Sequence, residues 1–164
     1  MDIKLFPDQD FPTLPHIEDG QEITLPIETF IQGVQKVYYA ASQSDIKPEI
    51  ASVYIYPDGK ELVFVATDSF RLAEKKITTD ADLDFEGIIV PIKNITECVK
   101  IFQGVDDTVT IMLGKNQISI QSEDIYFTSR IDHLSSSFEL KIDDFTHFNA
   151  FCFRNRPNSR DAQG

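Results

Sequence analysis

ELVFVATDSFRLAEKKI, residues Glu61 to Ile77, is an apolar run, a short polar break and a second, more charged run. Leu62, Phe64 and Ala66 alternate with Val63, Val65 and Thr67, so both faces of the first run are apolar or small. This predicts a strand covered on both sides, in the middle of a sheet. Thr67, Asp68 and Ser69 carry short polar groups that bond to their own backbone, which predicts a turn before Phe70-Arg71-Leu72 opens the next strand. The pattern places a cation between two apolar side chains beside a turn. An ordinary hairpin with Arg71 solvated or paired to a carboxylate has the same local signature, so its function depends on the elements around it.

Upstream, Ile50, Val53 and Ile55 with Tyr54 and Tyr56 predict a strand, and Pro57-Asp58-Gly59-Lys60 predicts the turn into the hairpin. Lys47-Pro48 closes the loop before it. Further back, Glu22 to Leu25 reads as a short strand and Pro26 sits where a first helical turn tolerates a missing N–H. Ile27, Phe30, Ile31, Val34, Val37, Tyr38 and Ala41 then recur at steps of three and four, one apolar stripe on a helix of about four turns.

Downstream, the acidic connector TTDADLDFE leads to a short strand, Gly87 to Val90. Pro91 opens a second helix, with Asn94 and Glu97 at capping-box spacing and Ile92, Ile95, Val99 and Phe102 on one face. Strands are predicted at Val109 to Leu113, Gln117 to Gln121 and Ile125 to Ile131, separated by Gly114-Lys115-Asn116 and Ser122-Glu123-Asp124. Strand, helix and three strands thus occur twice. TLPIETFIQGV aligns with IVPIKNITECV at an offset of 65, Pro26 against Pro91, and the hairpin aligns with QISIQSEDIYFTSRI. The expected fold class is α+β, an internally duplicated βαβββ unit with two helices side by side on one face and antiparallel sheets on the other.

The 164 residues suit one domain with a real core; 41% are hydrophobic and 26% charged, as in globular proteins. No apolar run approaches the roughly 20 residues that cross a bilayer, and MDIKLFPDQDFPTLPH has neither a basic start nor an apolar centre; a cytoplasmic, non-membrane protein is expected. The net charge of −12 argues against nucleic-acid binding through the whole surface while leaving room for a locally basic face. Cys98 and Cys152 have no further ligands nearby, so neither zinc nor any other metal is expected, and a disulfide is not required. Phe6 to Pro15, with three prolines, reads as an extended arm.

The doubled unit, the leading FPTLP, VATDSFRLA in the first hairpin and VPIK at the second helix together resemble the middle domain of the bacterial sliding clamp, the β subunit of DNA polymerase III. The resemblance spans roughly Phe11 to Arg130. It divides the chain into a linker arm from a preceding domain (1–20), a clamp middle domain (21–131) and a divergent tail (132–164). It implies a processivity factor that surrounds double-stranded DNA without reading sequence, with Lys36, Lys93 and Lys100 on the helices and Lys47 in the loop facing phosphates.

The resemblance further implies a groove for short apolar peptides of DNA polymerase and the clamp loader, to which Ile50, Thr67, Phe70, Arg71 and Leu72 would contribute. Leu72 and Ile50 would receive apolar anchors, and the Arg71 guanidinium would hold a carbonyl or carboxylate. Phe70 departs from the histidine or tyrosine frequent at that position, and Ala51-Ser52 departs from an Asn-Gly pair. After Arg130 the expected FPDY-like segment is replaced by IDHLSSSFELKIDDFTHFNAFCFRNRPNSRDAQG. The homodimeric ring of the full-length family closes through domains beyond this unit, so the chain alone is not expected to form it.

Two other functions fit less well. A hydrolase would need a constellation that His16, His133, His147, Asp68-Ser69 and the adjacent Asp106-Asp107 do not supply at any suggestive spacing, so no catalytic residue and no cofactor is expected. A stand-alone peptide-binding module shares the hairpin argument and differs only in what the helices do.

Overall fold

The computed structural model describes residues 17, 20–44, 46–80 and 82–133. The expectations for residues 1–16 of the arm and 134–164 of the tail, and for His16, His147 and Cys152, lie outside these residues. In chain order the elements are β1 (Gln21–Pro26), α1 (Ile27–Gln35), a 3₁₀ turn (Tyr38–Ala40), β2 (Ser52–Asp58), β3 (Glu61–Thr67), β4 (Leu72–Thr78), β5 (Ile88–Pro91), α2 (Ile92–Ile101), β6 (Thr108–Leu113), β7 (Gln117–Gln121), β8 (Tyr126–Arg130) and β9 (Asp132–His133). The βαβββ order occurs twice, and the class is α+β.

Two antiparallel sheets form, ordered β1-β6-β7-β8 and β4-β3-β2-β5-β9. Each half therefore gives its first strand to the other half's sheet: β1 pairs with β6, and β5 pairs with β2. The two exchanges are related by the internal duplication down to single hydrogen bonds. The first helical N–H of α1, Ile27, donates to the carbonyl of Asp107 at 2.9 Å, and that of α2, Ile92, donates to Ala51 at 3.0 Å. At the far hairpin ends Thr79 N–H donates to Lys60 at 2.8 Å and Ile131 N–H to Asn116 at 3.0 Å.

The helices lie against each other, α1 also packing on β1, β3 and β4 and α2 on β5 and β2. Ile27, Phe30, Ile31 and Val34 of α1 and Ile92, Ile95 and Cys98 of α2 are buried. Every residue of β3 from Leu62 to Thr67 is buried, as the doubly apolar run predicts. Phe30 meets Phe64 edge-on at 5.6 Å between centroids, and Phe102 meets Phe127 at 6.5 Å.

Local expectations are corrected in three places. The first helix does not run four turns: it has nine residues, and the chain tightens into the 3₁₀ turn, with Ala40 N–H donating to Val37 and Ala41 N–H to Tyr38. Val37, Ala40 and Ala41 remain buried, the three-residue step bringing Ala40 back under Val37. The capping box at Asn94 does not form. Pro91 and Pro26 are extended N-cap residues rather than first helical ones, and the end N–H of Ile92 is already bonded across the sheet. Asn94 instead donates to Ser129 Oγ at 2.8 Å, and Glu97 accepts from Lys100. Finally, Ile50 precedes β2 rather than lying in it, and Phe70 and Arg71 belong to the turn before β4.

Candidate functional site

The turn between β3 and β4 is stitched by its own side chains. Thr67 Oγ1 donates to the Arg71 carbonyl at 2.7 Å and accepts the Ser69 N–H at 3.1 Å. Asp68 Oδ1 accepts the N–H groups of Phe70 and Arg71, both at 3.0 Å, while its Oδ2 accepts Arg71 Nε at 2.9 Å. Ser69 takes a φ of 77°, a left-handed conformation that a non-glycine residue holds only when its surroundings over-determine it. These contacts leave Phe70 turned outward, 85% exposed.

Beside this tip is a surface groove of about 320 Å³, to which Ile46, Lys47, Ile50, Asp68, Ser69 and Phe70 contribute. Its other wall is the loop before β2, held by Ser42 N–H to the Ile50 carbonyl at 2.8 Å and by Ser52 Oγ donating to the Pro48 carbonyl at 2.6 Å. Ile50 and Phe70 thus line the same groove. Lys47, grouped with the DNA-facing lysines by resemblance, lines this groove. Ile46, 87% exposed, was not singled out from the sequence, although an isolated branched apolar residue in the polar loop SQSDIKPE was the available signal. Thr67, Arg71 and Leu72 do not line the groove: Thr67 is buried under the turn, Arg71 is paired with Asp68, and Leu72 begins β4, partly buried.

Partial burial raises the pKa of the Asp68 carboxyl, but the hydrogen bonds from the Phe70 and Arg71 amides and the Arg71 guanidinium outweigh it, and the net shift is downward from 3.8. A carboxylate with a depressed folded-state pKa stabilises the fold above its unfolded value and loses that contribution as pH falls through the folded one. In urea unfolding followed from pH 6 to pH 2, the stability difference between the wild-type chain and Asp68→Asn is therefore expected to shrink below about pH 4. A difference constant across that range would contradict the role assigned to the charge.

Lys36 follows α1 as its C-cap residue, and Lys93 and Lys100 lie on α2, all three exposed. Lys100 Nζ is 2.8 Å from Glu97 Oε1, and Glu28 accepts from Gln32 on α1. Three lysines against two glutamates make the helices' exposed surface close to neutral, in contrast to the net −12 of the whole chain.

Among the described residues no three His, Cys, Asp or Glu side chains are placed to hold a metal ion. Cys98 is a buried free thiol whose pKa burial pushes up to about 12, which suppresses the reactive thiolate. Asp107 serves a turn, accepting the N–H of Thr108 at 2.7 Å and of Glu123 at 3.4 Å. His133 lies in β9, opposite Ile88. No helix among the described residues is long and apolar enough to cross a membrane.

The family model described as DNA polymerase III beta subunit, central domain, matches residues 24–133, from β1 to the end of β9. The chain belongs to this family. It is 28% identical over 129 residues to the beta sliding clamp of Salmonella typhimurium, covering 79% of this chain and 35% of that protein. It is 30% identical over 127 residues to the beta sliding clamp of Staphylococcus epidermidis, covering 77% and 33%. The crystal structure of the DNA polymerase sliding clamp from Bacillus subtilis superimposes with a TM-score of 0.73 at 27% identity, over 82% of this chain and 35% of that one. The chain therefore spans about a third of the length of these relatives, and its doubled fold is that of their central domain.

Proposed function

We propose that this chain is the central-domain portion of a DNA polymerase processivity factor, an accessory protein rather than a catalyst, which works in the cytoplasm on duplex DNA. It offers the groove beside the β3–β4 turn to short apolar peptides of polymerase and clamp loader. The observation that carries this reading is the groove itself: two exposed apolar side chains, Ile46 and Phe70, flank Ile50 next to a turn that its own hydrogen bonds hold in place. A prearranged apolar cleft with a cation at its edge suits a peptide with aliphatic and aromatic anchors. Thr67 and Asp68 hold the turn, Arg71 and Lys47 supply positive charge, and Leu72 supports the base of the turn.

The test is titration of the chain with a fluorescent peptide, Gln-Leu-Val-Leu-Phe. Phe70→Ala and Ile50→Asp are each expected to weaken binding at least about tenfold, the size of a truncated hot spot. Phe70→Ala should leave the melting temperature unchanged, because the ring is exposed. Equal affinity in both variants would remove the groove from the proposal.

On the helices, Lys36, Lys93 and Lys100 act as diffuse, sequence-independent phosphate contacts. Reversing all three to Glu is expected to lower duplex affinity at low salt and to flatten its logarithmic salt dependence by about 0.9 for each phosphate no longer neutralised. Unchanged retention on a primed circle would favour a peptide-binding module that does not touch DNA. The near-neutral helix surface is the observation behind that second reading.

A further inference from the structure

The internal duplication pairs Thr24 of β1 with Ile89 of β5, at the same offset that pairs Pro26 with Pro91. In β5 the edge turned away from β2 is occupied: Ile89 stands opposite Asp132 of β9. β1 lies at the end of its sheet, and among the described residues no strand pairs with its outer edge. The hydrogen-bond phase is the same in both halves, because Ile27 bonds Asp107 just as Ile92 bonds Ala51. Antiparallel pairing alternates, so Leu25 and Ile23 direct their backbone groups to β6 while Thr24 and Glu22 direct theirs outward.

The segment after β4 follows its hairpin in chain order as β9 follows β8, but it does not pair with β1 and is tied elsewhere. Thr79 N–H donates to Lys60 and Leu83 N–H to Gly59, at 2.8 and 3.1 Å, which anchors it to the β2–β3 turn. Between it and β1 a groove of about 500 Å³ remains, lined by Thr24, Leu25 and Leu83 together with the acidic residues Glu22, Asp80 and Asp82. No lysine or arginine is among its described lining residues.

We propose that this groove takes a basic, extended peptide segment of another protein as an added strand on β1. Backbone groups of Glu22 and Thr24 supply the pairing, as Ile89 does for β9. Alternate side chains of the added strand fall on the apolar side with Leu25 and Leu83, and the others, cationic, meet the three carboxylates. The volume is within the range of built ligand sites, about 300–1,000 Å³. The chain's own first sixteen residues are a poor occupant, since their three prolines lack N–H donors and their three aspartates repeat the charge of the groove. This site is distinct from the groove at Phe70, and the proposal stands whether or not that groove binds peptide.

The probe is Ac-Lys-Val-Lys-Val-Lys-NH2, added to the isotopically labelled full chain while amide exchange is followed by NMR. Exchange at Thr24 is expected to slow at least tenfold at saturation, the fully N-methylated peptide is expected to slow it not at all, and Asp80→Asn with Asp82→Asn is expected to weaken binding at least fivefold. Unchanged exchange at millimolar peptide overturns the proposal, as does equal slowing by the N-methylated peptide, which would mean charge attraction without strand pairing. Exchange already slow in the free chain also overturns it: independent of protein concentration, the edge is taken by the chain's own ends; dependent on it, by a second copy.

Discussion

Cut after Asp80, the chain is expected to give two fragments that are each unfolded and that recover the fold only when mixed. The reason is the exchange of first strands. Fragment 1–80 keeps β2, β3 and β4 but loses β5, and its β1 has no partner because β6 is in the other piece. Fragment 81–164 has the mirror problem, with β5 deprived of β2. Each piece would leave one helix without the neighbour against which it lies. Its remaining three-stranded sheet would be covered by a single short helix, near the lower limit at which a core sustains itself. Circular dichroism and NMR dispersion of the separate and combined fragments measure this. A cooperative thermal transition in either fragment alone would show that the halves are independent units and that the exchanged pairings contribute little.

The second large effect is expected at Phe64. Its side chain is fully buried on β3, meets Phe30 edge-on and fills the space over Gly33, so truncation to alanine removes the centre of the contact between α1 and the sheet. Phe64→Ala should cost about 3–5 kcal/mol, a large share of the 5–15 kcal/mol typical of a whole domain. Gly33 is the other side of the same fit. A Cβ there would lie 2.5 Å from Phe64 Cε2 and 2.8 Å from Ile77 Cδ1. Alanine would gain about 1 kcal/mol in helix propensity but lose about 1–3 kcal/mol to overpacking, so Gly33→Ala is expected to destabilise. Combined with Phe64→Leu, which frees the space the ring occupied, the loss should be smaller than the two single losses together. Urea unfolding of the four proteins closes the cycle, and strict additivity would contradict the proposed fit.

Much of the fold was legible because amphipathic spacing reports burial directly. Leu62 to Thr67 announced a strand covered on both faces, and Ile27, Phe30, Ile31 and Val34 announced a buried helix face. The repeated order of elements could be read from Pro26 and Pro91 and from the two polar turns, each joining strands across four residues. Where reading failed, a tertiary hydrogen bond had displaced a local one. Asn94 and Glu97 have the spacing of a cap, yet the N–H of Ile92 is held by Ala51, the residue just before β2, and Asn94 turns to Ser129. The apolar stripe could not distinguish four turns of α-helix from a shorter helix followed by a 3₁₀ turn, since both bury Val37 and Ala41.

The candidate groove was half legible. Phe70 and Ile50 were assigned to it only through the resemblance to a known family, since the local pattern of each fits an ordinary hairpin and an ordinary strand. Ile46 was missed because it belongs to no periodic pattern, and Lys47 was read with the helices because loop geometry is not written in spacing.

Local order along the chain was sufficient for the kinds of elements in the doubled unit, the faces they bury and the doubling itself, since each depends on which residues avoid water, but it gave no sign of the 3₁₀ turn or of β9. The choice of partner was settled by the three-dimensional arrangement. Nothing in β1 or β5 says that each joins the opposite half, because all strands offer the same backbone donors and acceptors, and pairing is selected by where the helices allow the strands to lie. The same arrangement set Ile46, Ile50 and Phe70 around one groove and left the outer edge of β1 without a described neighbour while β9 covered that of β5.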